Sequence, residues 1–255
     1  MKRFIRCLWL GFWCVMPAQA AEPETAAGLA ALLRQAQYSQ GFEARMNVFV
    51  TKANGAHPAP LKIAVIGQFS AEWQRLLVRG IAPEAIREEG FAVTKQANNA
   101  VKAIKYRSGE KSAIADAQAR LFDTGLVAWD MLNPWWNWGR QSLEGKDRVG
   151  GRECLRMRSI ADEQNSPVRE VESCIDVQAG LALRTRLYDG THNLLRTITV
   201  EKALRRRDGS GLLAKKLSIT GPAKLHTEIE VYAGDEEYQV SDETFAVLDN
   251  LIPMK

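Results

Sequence analysis

The chain has 255 residues, of which 46% are hydrophobic and 25% charged, and a formal net charge of +4. This ordinary globular composition excludes a disordered tail, a collagen-like repeat and a polytopic membrane protein. The excess charge sits at the start: without Lys2, Arg3 and Arg6 there remain 31 basic against 30 acidic side chains, so no nucleic-acid partner is expected.

Residues 1–20 read as a cleaved secretory signal peptide. A basic stretch (Lys2, Arg3, Arg6) precedes ten apolar residues, Cys7 to Met16; Pro17 ends the run, and Ala18-Gln19-Ala20 is a small-x-small cleavage site. The apolar run is too short to span a bilayer, which takes about 20 residues. Trp13 in front of Cys14 does not suit lipoprotein processing, so no lipid anchor is expected. The remaining 21–255 carry no internal repeat or linker and read as one domain.

Pro23 to Tyr38 has Leu29, Leu32, Leu33 and Ala36 at helical spacing, with Glu22 and Glu24 at its positive end. Strands follow at Phe42–Val50, Leu61–Phe69, Trp73–Arg79, Phe91–Lys95 and Val101–Tyr106, with one or two helical turns at Pro83–Glu89. The spacing of Ile114, Ala117, Leu121 and Phe122 predicts a helix over Ser112–Phe122, and Leu126–Leu132 reads as another short one. Beyond Gly150-Gly151 the pattern is almost unbroken β: 152–159, 169–177, 181–188, 194–204, 212–220 and 225–233, separated by Gly, Asp-Gly and Gly-Pro turns. Alternating dry and wet positions in consecutive hairpins give an antiparallel meander. About ten or eleven such strands must curl to hide one face, with the few helical segments plugging its mouth.

Two cysteines remain after the leader, Cys154 and Cys174, and in an exported chain they are expected to form a disulfide. Set opposite each other in a hairpin, they place Arg152, Arg156 and Arg158 across from Asp176, Glu172 and Glu170. The other face then holds Leu155 and Met157 against Ser173 and Val171, so the disulfide is expected on the wet face.

Catalytic motifs are not found. His57, His192 and His226 are scattered, without metal-ligand spacing, and no nucleophile elbow, P-loop or dinucleotide fingerprint occurs; neither an enzyme nor a cofactor is expected. Arg205-Arg206-Arg207 reads as a solvated hairpin tip, with an acidic partner or anionic lipid surface as the alternative. Trp129, Trp135, Trp136 and Trp138 are four of the five tryptophans after the leader. Core packing and a ligand mouth both suit them, since indole joins an apolar body to one N–H.

The segment Asp123-Thr124-Gly125-Leu126-Val127-Ala128-Trp129-Asp130-Met131-Leu132, then Trp138-Gly139, Gly151-Arg152-Glu153-Cys154, Ser173 through Arg184, Tyr188-Asp189-Gly190 and Leu194-Leu195-Arg196 resembles the outer-membrane lipoprotein-sorting proteins, the LolA/LolB-like superfamily. The likeness covers roughly 113–245 by motif order and the N-terminal third by pattern. It implies a mainly β fold with some α: a single-domain incomplete antiparallel β-barrel with short helices over its concave face. It further implies an apolar hollow large enough for the acyl chains of a lipoprotein or other lipid. By position, the ligand residues would be Met46, Val48, Leu61, Ile63 and Val65 on the strands, Ile114, Leu121, Trp129 and Met131 on the lid, and Trp135 and Trp136 at the mouth. The implied role is lipoprotein sorting by a periplasmic monomer between an inner-membrane donor and an outer-membrane acceptor. The alternative is an envelope sensor or interaction module that recognises lipidated partners without transporting them.

Overall fold

A computed structural model describes residues 23, 25–96, 100–107, 113–163, 166–207, 209 and 211–248. The expected leader, Glu22 and Glu24 lie outside the described residues. The chain opens with α1 (Ala26–Gln37). Thr25 caps it, its hydroxyl accepting from the Gly28 amide at 3.1 Å, and Leu29, Ala30 and Leu33 form its buried stripe. At the far end Arg206 donates to the Ala36 carbonyl at 3.0 Å, so one residue of the basic run serves as a helix cap.

Two runs of strands follow. The first comprises β1 (Ser39–Thr51), β2 (Leu61–Phe69), β3 (Trp73–Ala82), β4 (Glu89–Gln96), β5 (Val101–Arg107) and β6 (Ala113–Ala115). The second comprises β7 (Arg140–Val149), β8 (Arg152–Ile160), β9 (Glu170–Asp176), β10 (Leu181–Tyr188), β11 (Leu194–Arg205), β12 (Leu212–Thr220) and β13 (His226–Asp235). All pair antiparallel in one sheet of order β6-β5-β4-β3-β2-β1-β13-β12-β11-β10-β9-β8-β7. Each run is a meander, and the two are stitched where β1 meets β13. The free edges, β6 and β7, are consecutive in the chain, so residues 116–139 must cross from one edge to the other. They do so over the concave face, carrying α2 (Ala128–Met131) and 3₁₀ turns at Leu121–Asp123 and Pro134–Asn137. The result is an incomplete barrel whose mouth is plugged by the link between its own edges.

Both faces of the β2–β5 half are covered. Ile63, Val65, Leu76, Val78, Phe91 and Val93 point into the concave side. Alternate residues Ile66, Leu77 and Ala92 point outward beneath Phe245 of the C-terminal segment. This double burial explains why β2 reads as a nearly continuous apolar run rather than strict alternation.

The eleven strands expected from sequence are present, and β6 and β7 are additional. The helix expected over Ser112–Phe122 is not formed. Ala113–Ala115 instead pairs with β5, and Asp116 turns the chain by accepting from the Gln118 amide at 2.9 Å. An isolated helix of about three turns is marginal in water, whereas an open sheet edge offers ready backbone partners.

The cysteine hairpin also departs from expectation. Cys154 and Cys174 are disulfide-bonded with Cα atoms 5.3 Å apart. The backbone register, however, sets Arg156 opposite Cys174 and Leu155 opposite Ile175. This shift of two residues keeps every side chain on its face. It gives Leu155 the apolar Ile175 in place of Ser173, while Met157 exchanges Val171 for Ser173. The disulfide and the Arg152–Asp176 (2.5 Å) and Arg158–Glu170 (2.6 Å) ion pairs are then made along the diagonal. Arg156 turns to the Glu144 carbonyl at 2.6 Å instead of Glu172. The two sulfurs lie on the outer face as expected, but dry, beneath Val149 and Leu183.

Candidate functional site: the plugged concave face

Two apolar clusters share the concave face, with Val101, Ala117 and Ile198 packed against both. The first lies between β1–β5, β12 and β13 and the plug. It takes in the expected strand residues Val48, Ile63 and Val65, all buried, with Met46 and Leu61 half-buried at its border. Leu121 presses into it from the plug, and Met131 packs alongside. In the second, α1 and the tryptophans lie over β8–β10: Trp135 and Trp136 are 1% and 5% exposed, and Trp129 meets Trp135 with ring centroids 5.4 Å apart. Of the two uses open to the tryptophan run, the structure shows core packing. Ile114 stands at the sheet edge in β6, opposite Ile104, and not on a plug helix. The expected residues thus divide between a strand group and a cover group, in mutual contact.

The hollow is therefore not empty. Leu121, Leu126, Ala128 and Leu132 occupy the space where acyl tails were expected, with Phe122 edge-on to Phe91 at 5.4 Å. A cleft of about 400 Å³ lies elsewhere, between Tyr106 of β5 and Tyr238 on the outer face.

Polar hooks hold the plug down. The Gly125 amide donates to the Thr227 hydroxyl on β13 at 2.8 Å, and a Cβ at Gly125 would stand only 3.3 Å from that of Thr227. Arg34 of α1 donates to the Trp136 carbonyl, and Gln141 to the Trp135 carbonyl at 3.1 Å. The strongest hook is ionic. Arg196 of β11 forms a two-pronged bridge to Asp130 and also donates to Gln118 at 3.1 Å, gripping the plug at two points. Burial pushes the Asp130 carboxyl above its ordinary range, and the Arg196 guanidinium partly offsets that. Against these hooks stands backbone strain: Phe122, Asp123 and Asn133 all have positive φ (52°, 54° and 42°). Left-handed backbone at a non-glycine residue costs roughly 1–2 kcal/mol.

One charge on this face has no hook to make. Lys95 follows Phe91 and Val93 on the concave side of β4 and is 6% exposed. Among the described residues, no acceptor or carboxylate meets its ammonium. Burial lowers its pKa to about 8, helped by the nearby charge of Arg34. Sequence reading missed both Lys95 and the Asp130–Arg196 pair. For Lys95 a signal existed, since it occupies a dry position in the Phe91-Ala-Val-Thr-Lys alternation. For Asp130 and Arg196, 66 residues apart, none did.

Histidines are used elsewhere: His192 stacks on Tyr188 with centroids 4.6 Å apart, and His226 lies near Glu228. Among the described residues, no three His, Cys, Asp or Glu side chains are grouped to hold a metal ion, and no helix is long and apolar enough to cross a membrane.

No family model matches the sequence, and no curated protein does. Solved structures do match the fold. A domain from Vibrio parahaemolyticus named for outer-membrane lipoprotein sorting superposes with a TM-score of 0.76 at 14% identity, over 87% of this chain and 96% of its own. A DUF1329 family protein from Desulfovibrio piger gives 0.77 at 15% identity, over 86% and 95%. A LolA superfamily protein from Nitrosomonas europaea gives 0.68 at 10% identity, over 88% and 98%. At such identities the likeness is one of architecture, and the open sheet bridged by its own plug has the fold of the outer-membrane lipoprotein-sorting proteins, the LolA/LolB-like superfamily.

Proposed function

We propose that this chain is an exported periplasmic lipid-binding protein that takes up acyl chains on its concave face when the plug lifts. In this reading residues 1–20 direct export and are removed, and the mature monomer takes part in sorting lipoproteins from an inner-membrane donor to an outer-membrane acceptor. The observation that carries it is the plug itself. A continuous apolar sheet face is sealed by a segment under backbone strain, tied at discrete polar points and anchored to the two sheet edges.

The energetics suit exchange. Acyl burial contributes about 0.8 kcal/mol per CH₂, so a chain of about sixteen carbons gains roughly 12 kcal/mol. Lifting the plug exposes Leu121, Leu126 and Leu132 together with Trp129, Trp135 and Trp136, at about 1.5–3 kcal/mol each, and opens the Asp130 bridge. That cost is of the same order as the gain from two acyl chains, and relief of the strained residues assists. Met46, Val48, Leu61, Ile63 and Val65 would then line the tails, with Leu121, Trp129, Met131, Trp135 and Trp136 on the displaced cover. Ile114 would border them from the sheet edge.

The test is native mass spectrometry of mature protein purified from its own envelope, followed by lipid extraction. The expected result is a bound acylated species; bare protein under gentle conditions would overturn the reading. A second reading, an envelope sensor of lipidated partners, is favoured by the buried Asp130–Arg196 bridge, a single discrete contact that a partner could break. A carrier hands its cargo to an acceptor, whereas a sensor stays in a lasting complex with another protein.

A further inference from the structure

Lys95 is not alone in lacking a partner. In the β3–β4 ladder it stands directly opposite Gln74, which faces the same concave side as Leu76 and Val78. Gln74 is 3% exposed, and its Oε1 is buried without a hydrogen bond. Directly opposed side chains lie about 5 Å apart, close enough to share one ligand group. Beside them is Arg34, whose field Lys95 feels. Arg34 holds the carbonyl of Trp136, and the indole N–H of Trp136 is likewise buried without an acceptor.

A buried ammonium with no acceptor is costly, and a second cation next to it raises the cost. The Lys95 side chain as a whole is only 6% exposed, so solvent relieves this cost only in part. Replacing it with an apolar residue of similar length would remove the penalty outright. Its surroundings supply donors and positive charge at one end of an apolar face lined by Leu76, Val78, Phe91 and Val93. That combination fits a group with negatively charged oxygens attached to a hydrocarbon tail.

We propose that Lys95 and Gln74, with Arg34 beside them, form the seat for the oxyanion head of an acyl lipid whose tail runs along the concave face. This rests on the acyl-binding reading above and adds to it a headgroup preference: the ligand is an anionic amphiphile, not a neutral one. Lys95 supplies the charge-assisted hydrogen bond, Gln74 turns its amide to donate, and Arg34 contributes field and, on leaving Trp136, a second donor.

The test titrates mature protein at pH 7.4 with palmitate and with hexadecanol, which share a sixteen-carbon tail, and reads the fluorescence of the tryptophans in the cover. Wild type is expected to bind palmitate at least tenfold more tightly than hexadecanol. Lys95→Met should bind the two equally, and Lys95→Arg should keep the preference. Thermal unfolding checks that each variant is folded. Equal binding of both probes by wild type, or an intact preference in Lys95→Met, overturns the headgroup seat while leaving acyl binding in place. Binding of neither probe overturns the acyl reading and the seat with it. Inorganic phosphate is the third arm: if it displaces palmitate at comparable concentration, the site serves free anions and the lipid-head assignment fails.

Discussion

Lys95 makes a prediction that needs no ligand. The folded chain releases its proton near pH 8, and an unfolded lysine does so near 10.5. Between these values the unfolded state holds more protons, so stability rises with pH across that window, and below pH 8 the full penalty applies. The drop from 10.5 to about 8 corresponds to about 3 kcal/mol. Above pH 10 the buried Tyr106 phenol, pushed up to about 12, acts in the opposite sense, which leaves pH 8 to 10 as the clean interval. Urea unfolding of ligand-free protein should therefore show stability rising from pH 8 to 10, and Lys95→Met should be more stable at pH 7 and flat over that interval. A wild type that is also flat would mean the ammonium is solvated after all. Asp130 and Arg196 pose the converse case, a buried charge that is paired. Removing one partner by Arg196→Met should cost about 3–5 kcal/mol, and adding Asp130→Leu should restore most of it, because the stranded carboxylate carries the loss. Strictly additive losses in that double-mutant cycle would show that the two groups do not depend on each other.

At the scale of elements, the β8–β9 hairpin shows what kind of information sequence holds. Alternation assigned each residue to its face, and the two cysteines located the partner strand, but parity does not distinguish registers two residues apart, and a disulfide can bridge a diagonal pair as well as a direct one. Edge strands were the least legible. Arg140–Val149 is largely polar, with only Leu143 and Val149 reaching apolar clusters, and has a register shift near Gly145, which has φ +93°. Charge and irregularity protect an edge from unwanted pairing and also erase the two-residue period. The Ile114-to-Phe122 spacing misled for a related reason, since a helical period says nothing about the open edge of β5 waiting for a partner. In the site, the apolar residues were legible by parity, whereas the ion pair that secures the plug was not, because its members meet only through the fold. The disulfide acts at this same scale. Its bridge closes a loop of 20 residues in sequence separation, which by chain entropy contributes about 3 kcal/mol. Cys154→Ala with Cys174→Ala should lower the unfolding midpoint by roughly 6–12 °C without loosening acyl binding, since the bridge lies on the outer face and the ligand on the inner. A large loss of binding at temperatures where the variant is folded would show that the two faces of β8–β9 are coupled.

For the molecule as a whole, the decisive property is that the plug is also the connection between the two halves of the sheet. A segment free at one end could swing away like a door; residues 116–139 are held at β6 and at β7 and can only bow outward or slide. Opening must then break the middle contacts while the ends remain seated, and the hook from Gly125 to Thr227 lies near that middle. Gly125→Cys with Thr227→Cys converts the hook into a covalent lock. The Cβ separation of 3.3 Å is slightly short of the usual disulfide range of about 3.5–4.5 Å, and the loop on the Gly125 side can give by that amount. Oxidised, the locked protein should be at least as stable as wild type and bind palmitate at least a hundredfold more weakly; reduced, it should regain binding, with wild type under the same reductant controlling for loss of the native bridge. Each single variant should bind normally in both conditions, which separates locking from damage to the hook. If the oxidised double variant binds as well as wild type, tails reach their site without the plug leaving the sheet. The filled concave face would then be a true core, and the ligand surface would have to be sought on the outside of the molecule.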